Sequence, residues 1–203
     1  MSKIGILGGT FDPFHNGHLE LAKRAYSDFG LDKILVMVSK NPPHKKNKIV
    51  SDVTHRTNMV KIAIKDYSYM EFSDFELKRD GYIYTADTLT LLCNENPNTE
   101  YYFIIGGDSL KDFHKWYHPE IVLEKAVILA AMRPDVSKDE YSIAKDNLYS
   151  MYKESNPDIR ELLMEEIDIS SSQIRKEFYQ KDFSNMMNLD VMKYISDNRL
   201  YLW

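Results

Sequence analysis

Two histidines, His15 and His18, follow a glycine pair near the start of this 203-residue chain. The apolar run of residues 4–7 predicts a buried strand that Gly8-Gly9 ends. Residues 16–29 then repeat apolar side chains at the spacing of one helical face. In a strand, glycine turn and helix of this kind, backbone N–H groups and the positive helix end face a ligand above the strand, and the imidazoles add donors. The pattern predicts an anion site that suits phosphate.

The same motif has plainer interpretations. Gly8-Gly9 could be only a tight connection, and the two histidines could be surface residues or metal ligands. Neither the dinucleotide fingerprint G-x-G-x-x-G nor a P-loop is present. Zinc would need a third and usually a fourth ligand, and the only cysteine, Cys93, lies in an apolar helical pattern with no histidine beside it. We therefore interpret His15 and His18 as phosphate ligands.

A serine-rich turn near the carboxyl terminus is a second candidate for phosphate binding. Ser171 and Ser172 stand at the start of a predicted helix, where hydroxyls and unpaired N–H groups are available. Arg175 follows on the same helical face. Alone, this segment is a well-capped helix. Together with the amino-terminal histidines, it indicates a second set of phosphate ligands.

Alternating strands and helices are predicted to position these groups. Buried strands are expected at residues 33–38, 100–106 and 126–131, and a further strand, of a kind that suits a sheet edge, at 69–77. Residues 160–167 fit a helix or a strand, and we expect a strand because an apparent strand-to-helix turn follows. Helices are expected at 51–66, 85–94, from 120, at 139–153, from 170 and at 190–198. This order predicts an α/β fold with a parallel sheet and right-handed crossovers. Ligands bind outside the carboxyl ends of such strands, so Gly8-Gly9 and Gly106-Gly107 should face one crevice.

Other polar and aromatic residues follow the predicted strands. Asp108 could cap a helix at Ser109 or accept hydrogen bonds from a sugar hydroxyl. Arg133 could meet a phosphate or a π-face, or form a surface salt bridge. Trp116 and Tyr117 could pack as a lid on the core or stack on a heteroaromatic ligand.

Two further segments have open roles. Thr85 is a plausible helix N-cap, and a hydroxyl at a helix start also suits a carboxylate. Residues 41–48 form a loop with prolines and lysines that is either a solvated face or a ligand-facing one. Arg56 lies early in a helix, where the dipole does not favour a cation, so we expect it to form a pairing contact or to bind a ligand.

Composition limits the classes of protein that fit. With 43% hydrophobic and 28% charged residues, the chain can bury one core, and we expect a single domain over 1–203 with a helical carboxyl-terminal part from about 169 to 203. A net charge of −5 argues against broad binding to nucleic acid or an anionic membrane. The single cysteine and the absence of a signal-type apolar core suggest the cytoplasm. The longest apolar run is far below the roughly 20 residues of a membrane helix, so no membrane segment is expected.

The motifs together resemble those of the nucleotidylyltransferase superfamily. The two defining stretches are Gly8-Gly9-Thr10-Phe11-Asp12-Pro13-Phe14-His15-Asn16-Gly17-His18, with the H-x-G-H element, and Ile169-Ser170-Ser171-Ser172-Gln173-Ile174-Arg175. The order of the other segments is similar, over nearly the whole chain, to bacterial nicotinate mononucleotide adenylyltransferases. These segments are Asn41-Pro42-Pro43-His44-Lys45, Tyr84-Thr85-Ala86-Asp87-Thr88-Leu89, Gly106-Gly107-Asp108-Ser109-Leu110, Trp116 and Arg133-Pro134. Ser172 stands where the family usually has threonine, which keeps the hydroxyl.

This resemblance implies a Rossmann-like nucleotidyltransferase fold with helices on both faces of the sheet. It also implies AMP transfer from ATP to nicotinate mononucleotide, with Mg²⁺ bound to ATP oxygens. His15, His18 and Arg175 would be catalytic. The implied ATP ligands are Gly8, Gly9, Thr10, Phe11, His15, His18, Gly106, Asp108, Arg133, Ser171, Ser172 and Arg175. The implied mononucleotide ligands are Asn41, Lys45, Thr85, Trp116 and Tyr117.

Two other kinds of protein fit less well. A pantetheine-phosphate adenylyltransferase or a cytidylyltransferase would share the superfamily motifs, but such chains are usually shorter, and the Thr85 and Trp116 regions favour the pyridine substrate. A nucleotide-binding module without turnover is disfavoured because His15, His18 and Arg175 are all present. Whether the protein forms a homo-oligomer stays open.

Overall fold

The computed structural model describes residues 1–40, 49–132, 138–164 and 169–202. The predicted site residues Asn41, Lys45 and Arg133 lie outside these ranges.

A parallel sheet of six strands forms the centre of the described structure. The strands are β1 (Ser2–Gly9), β2 (Lys33–Val38), β3 (Met70–Ser73), β4 (Thr99–Ile105), β5 (Ala126–Met132) and β6 (Ile159–Leu163). Their order across the sheet is β3-β2-β1-β4-β5-β6, and every neighbouring pair is parallel. The chain thus builds one half of the sheet outward from β1 and then returns to place β4 on the other side of β1. This confirms the predicted Rossmann-like fold and puts the point of reversal between β1 and β4.

Eight α-helices connect or follow the described strands. They are α1 (Asn16–Phe29), α2 (Val53–Ile64), α3 (Thr85–Glu95), α4 (Gly107–Lys111), α5 (Pro119–Lys125), α6 (Lys138–Met151), α7 (Ser171–Glu177) and α8 (Leu189–Asp197). Short 3₁₀ turns occur at Phe113–Lys115 and Lys153–Ser155. No helix in these ranges is long and apolar enough to cross a membrane.

Both faces of the sheet are buried, which explains why its central strands are continuous apolar runs. Successive residues of a strand point to opposite faces. In β4, Phe103 packs into the core beneath α3 and α5, whereas Ile104 packs into the core on the face of α1 and α2. In β5, Ile128 and Leu129 divide between the two cores in the same way.

The structure corrects three local predictions, one strand end and two helix caps. The strand expected at 69–77 ends at Ser73, because the Asp74 carbonyl accepts the N–H groups of Leu77 and Lys78 and starts a turn. It does lie at the edge of the sheet. Thr85 is not an N-cap: Tyr84 has the extended backbone of a cap, and Thr85 is the first helical residue.

Asp108 is not a cap either. The cap of α4 is Gly106, whose carbonyl accepts the Ser109 N–H at 3.0 Å, and the helix begins at Gly107. Asp108 lies inside the first turn, with its side chain exposed. Its capping role is thereby removed, while contact with a sugar stays a prediction.

Candidate active site at the carboxyl ends of β1 and β4

The first turn of α1 fixes the geometry of His18. His15 is the N-cap, with an extended backbone (φ −141°, ψ 174°), and its N–H donates to His18 Nδ1 at 3.2 Å. Because Nδ1 accepts, the proton of a neutral His18 ring must sit on Nε2, which is then a donor. The His15 and His18 rings lie 3.8 Å apart between centroids, tilted by 32°. The two imidazoles therefore form one compact group at the start of the helix.

Aromatic packing holds the His18 ring from two sides. Phe11 meets it edge-on at 5.0 Å between centroids, and Phe14 lies 5.2 Å away. Phe11 has a positive φ of 50°, which turns its ring back over Gly9. A Cβ at Gly9 would come within 2.7 Å of that ring. Gly9 is thus required by packing of the loop, a reason that the sequence did not indicate, whereas a Cβ at Gly8 would make only ordinary contact.

Arg56 ties together the segments that border the glycine turn. Its side chain is buried, and its guanidinium donates to four backbone carbonyls, those of Thr10, Ser39, Lys40 and Ser51, at 2.8 to 3.3 Å. These carbonyls follow β1 and β2 or precede α2. The pairing partner expected for Arg56 is therefore mainly backbone oxygen.

Asp12 lies at the centre of the loop before His15 and is 1% exposed. Its Oδ1 accepts the Tyr201 hydroxyl at 2.9 Å, and its Oδ2 accepts the Ser51 N–H at 3.0 Å. Burial raises the pKa of Tyr201, and the Asp12 carboxylate adds to that shift, so the hydroxyl stays a donor. Sequence reasoning missed this group because Tyr201 follows the last helix without a motif.

The serine-rich turn lies against the histidine loop, although 158 residues separate the contacting side chain and carbonyl. Ser171 Oγ donates to the Pro13 carbonyl at 3.0 Å. Arg175 Nη1 donates to the Asp12 carbonyl at 2.6 Å, and its Nη2 donates to Ser172 Oγ at 3.2 Å. The two predicted phosphate-binding segments thus share one edge of the sheet. Ser171 uses its proton to join them, and the three-serine helix start is capped by Ser170, which accepts the Gln173 N–H.

The second glycine turn lies beside the first. Leu7 of β1 pairs with Ile104 of β4, so both strands end at the same level. A Cβ at Gly107 would come within 2.7 Å of the Ala131 carbonyl of β5, so a side chain at this position would clash with the neighbouring backbone. A Cβ at Gly106 would meet none of the described atoms within 4 Å. Gly106 therefore borders open space at the crevice.

Trp116 lies on an aromatic base next to this crevice. Its half-buried ring stacks on Phe113 at 4.7 Å between centroids and 22°. Its edge contact is with Phe103 of β4, at 6.0 Å and 90°. The Phe103 ring is also the neighbour of Gly8, 3.6 Å from where a Cβ would stand. Trp116 is thereby held close to the end of β1, with part of its surface exposed.

Tyr117 and Thr85, both predicted to bind the mononucleotide, are linked through Tyr84, which the sequence did not indicate. The Tyr117 ring, 48% exposed, stacks on Tyr84 at 4.3 Å and 28°. Tyr84 caps α3 and directly precedes Thr85. The stack brings the start of α3 next to the Trp116-Tyr117 segment.

A polar group under α3 supports this side of the crevice. The buried Thr88 hydroxyl donates to Glu76 Oε1 at 3.0 Å and accepts from Arg79 Nη1 at 3.2 Å. Lys40 Nζ donates to the Arg79 carbonyl at 3.1 Å, which joins the end of β2 to the group. Burial raises the pKa of Glu76, although the Thr88 and Arg79 contacts oppose the shift. No local spacing indicates these contacts, so sequence reasoning did not find them.

The described residues were also compared with the needs of a metal site made by protein side chains alone. They contain no group of three or more His, Cys, Asp or Glu side chains that could hold an ion. Mg²⁺ is commonly bound by one or two carboxylates together with substrate phosphates and water. A metal that is held largely by substrate oxygens stays a prediction.

Comparisons with known proteins agree with this geometry. The family described as cytidylyltransferase-like matches residues 6–177. A probable nicotinate-nucleotide adenylyltransferase of Lachnoclostridium phytofermentans is 43% identical over 176 residues, 87% of this chain and 86% of the relative. One from Carboxydothermus hydrogenoformans is 38% identical over 98% of both chains. The fold is also that of Plasmodium falciparum nicotinic acid mononucleotide adenylyltransferase complexed with NaAD, with a TM-score of 0.80, 22% identity and coverage of 99% and 98%. The chain therefore belongs to the cytidylyltransferase-like family and, within it, to the nicotinate-nucleotide adenylyltransferases.

Proposed function

We propose that the protein transfers AMP from ATP to nicotinate mononucleotide, yielding deamido-NAD and pyrophosphate. The observation that carries this proposal is the meeting of the His15-His18 turn and the Arg175 helix at the carboxyl end of β1. Cationic and N–H donors from two distant segments suit a ligand with several phosphates. The relatives named as nicotinate-nucleotide adenylyltransferases, at 43% and 38% identity, support the choice of acceptor.

The chemistry follows from bringing two polyanions together. A phosphate oxygen of the mononucleotide attacks the α-phosphorus of ATP, the bond to the β-phosphate bridge oxygen breaks, and pyrophosphate leaves with that electron pair. No covalent enzyme intermediate is needed. The protein contributes positioning and fixed donors that offset the charge on the transferring group.

On the ATP side, His18 acts through Nε2–H on the α-phosphate, and His15 adds a second imidazole beside it. Arg175 and Ser172 bind the β- and γ-phosphates that leave together, and Ser171 supports them from the same turn. The backbone of Gly8, Gly9, Thr10 and Phe11 contacts the nucleotide, while Gly106 and Asp108 contact the ribose. Arg133 lies outside the described residues, and its place beside the adenine stays a prediction.

On the acceptor side, the exposed part of Trp116 stacks on the pyridine ring. Thr85 and the Tyr117 amide bind the carboxylate, and the Tyr84–Tyr117 stack brings these two segments together. The positive end of α3 favours a carboxylate over an amide there. Asn41 and Lys45 stay predicted ligands outside the described residues.

Mg²⁺ is proposed to arrive bound to ATP. When bound there, it offsets charge on the phosphate oxygens. The protein's own donors to these phosphates are His18 and Arg175, and neither side chain needs a protein-bound metal to hold it in place. The cytoplasmic location stays a prediction, and the oligomeric state stays open.

The test is ATP-dependent pyrophosphate release with nicotinate mononucleotide and nicotinamide mononucleotide offered separately. We expect release with the nicotinate form and a lower kcat/KM with the amide form. Omitting the mononucleotide controls for simple ATP hydrolysis. No release with either acceptor would disprove the proposed reaction, and faster release with the amide form would reverse the choice of substrate.

A further inference from the structure

The two carboxylate oxygens of Asp12 are held by two separate donors. The Tyr201 hydroxyl binds Oδ1 at 2.9 Å, and the Ser51 N–H binds Oδ2 at 3.0 Å. Arg175 is a neighbouring cation, but its Nε lies 4.0 Å from Oδ2, beyond hydrogen-bond length. Arg175 donates instead to the backbone carbonyl of Asp12 and to Ser172 Oγ. A buried carboxylate and a guanidinium thus lie side by side without forming a two-bond pair.

This arrangement is unusual because a planar guanidinium and a carboxylate match each other in two parallel hydrogen bonds. Such a pair would consume the N–H donors and offset the charge that a phosphate needs. Asp12 is 1% exposed, so water does not compete for its oxygens. Protein donors must therefore keep the carboxylate in its observed orientation.

Tyr201 is held rigidly enough to keep the Asp12 carboxylate in that orientation. Its backbone has a positive φ of 67°, rare for a bulky residue, and its side chain is 5% exposed. The ring lies edge-on to Phe178, 6.3 Å between centroids, and the hydroxyl is also 3.7 Å from Met59 Sδ.

We propose that Tyr201 is a positioning residue for ATP binding: its hydroxyl holds the Asp12 carboxylate away from Arg175 and so keeps the guanidinium available to phosphate. This inference rests on the proposed function, in which Arg175 binds the leaving phosphates. It gives the last residues of the chain a role in the chemistry at β1.

The test variant is Tyr201→Phe, which removes the hydroxyl and keeps the ring. Without that donor, Asp12 turns toward Arg175 and competes with phosphate. We expect the KM for ATP to rise about tenfold, the change that about 1.4 kcal/mol of binding produces. The KM for nicotinate mononucleotide should stay at the wild-type value, because the proposed function assigns Arg175 to the ATP phosphates and not to the mononucleotide.

Tyr179→Phe is the matched control. It removes a tyrosine hydroxyl from the same carboxyl-terminal segment, where the partner is the Leu200 carbonyl and not Asp12. We expect no change in the KM for ATP. If both variants raise that KM equally, the segment has only a structural role and the proposal is wrong.

A double-mutant cycle with Asp12→Asn provides the readout that packing alone would not change. Asparagine removes the charge that competes for Arg175, so adding Tyr201→Phe to Asp12→Asn should have little further effect on the KM for ATP. An equal rise in both backgrounds would overturn the proposal, as would an unchanged KM for ATP in Tyr201→Phe.

Calorimetric titration with ATP alone separates this inference from the proposed reaction. If the wild-type protein binds ATP but releases no pyrophosphate, the reaction is wrong, while the ATP affinities of the variants still decide the role of Tyr201. A melting temperature for each variant verifies that the folded protein is being titrated.

Discussion

His18→Asn removes the hydrogen-bond donor at the Nε2 position and keeps an acceptor at the Nδ1 position. The asparagine Oδ1 can take the place of Nδ1 and accept the His15 N–H, which the wild-type ring accepts at 3.2 Å. Asparagine has no atom where Nε2 stands, so the donor proposed for the α-phosphate is lost. His18→Gln is the complement, because its amide reaches the Nε2 position but leaves the Nδ1 position empty.

The magnitude follows from these two contacts. Loss of one preorganised donor to a transition state lowers kcat by about 10² to 10³, or about 2.7–4 kcal/mol. We therefore expect at least a 100-fold lower kcat for His18→Asn. Its stability should be close to wild type, whereas His18→Ala also loses the contact at the helix start, at about 1 kcal/mol. His18→Gln should keep more activity than His18→Asn.

The assay is steady-state pyrophosphate release at saturating ATP and nicotinate mononucleotide, with urea denaturation of each variant beside it. A kcat of His18→Asn within about tenfold of the wild-type value would refute the role of Nε2. Equal losses of activity in His18→Asn and His18→Gln, accompanied by equal losses of stability, would instead assign His18 to the fold.

Three further predictions concern groups around the crevice. Arg175→Ala should raise the KM for ATP and leave that for the mononucleotide unchanged, with Arg24→Ala in α1, whose guanidinium pairs with Glu20, as the control; an unchanged ATP titration would remove Arg175 from the site. Arg56→Met leaves four backbone carbonyls without their donor and should lower the free energy of unfolding in urea by roughly 4 kcal/mol, at about 1 kcal/mol for each carbonyl; a loss below about 1 kcal/mol would contradict its bridging role. Burial raises the pKa of Glu76 above the ordinary 4.5, so this carboxyl stabilises the fold at acid pH and loses that contribution as pH rises through its raised pKa. The melting temperature of Glu76→Gln relative to wild type should therefore increase across that pH range, and a constant difference would be contrary to this reasoning.

The sheet was predictable because its strands are buried on both faces and carry their signal locally. The prediction for β2 has the observed ends, Lys33–Val38, since every residue of the run lies within the sheet. The strand near Met70 was too long because alternation continues past the point where the Asp74 carbonyl starts a turn. The helix caps expected at Thr85 and Asp108 were misplaced because the extended backbones of Tyr84 and Gly106, not side-chain type, set the caps.

Within the site, the two segments predicted to bind phosphate meet in the structure, but the sequence did not indicate the groups that hold them. The histidine and serine motifs were visible because their members are close in sequence. The contact of Asp12 with Tyr201 joins residues 189 apart and has no periodic or spacing signal. The link from Glu76 to Thr88 likewise arises only when the β3–α3 loop folds against the helix. Such supporting contacts depend on tertiary structure.

A crystal structure with a non-hydrolysable ATP analogue and Mg²⁺ tests the central claim most directly. The proposal predicts one triphosphate that lies within hydrogen-bond distance of both His18 Nε2 and the Arg175 guanidinium, with the α-phosphate nearest His18. A triphosphate bound elsewhere, or in contact with only one of these two side chains, would contradict it.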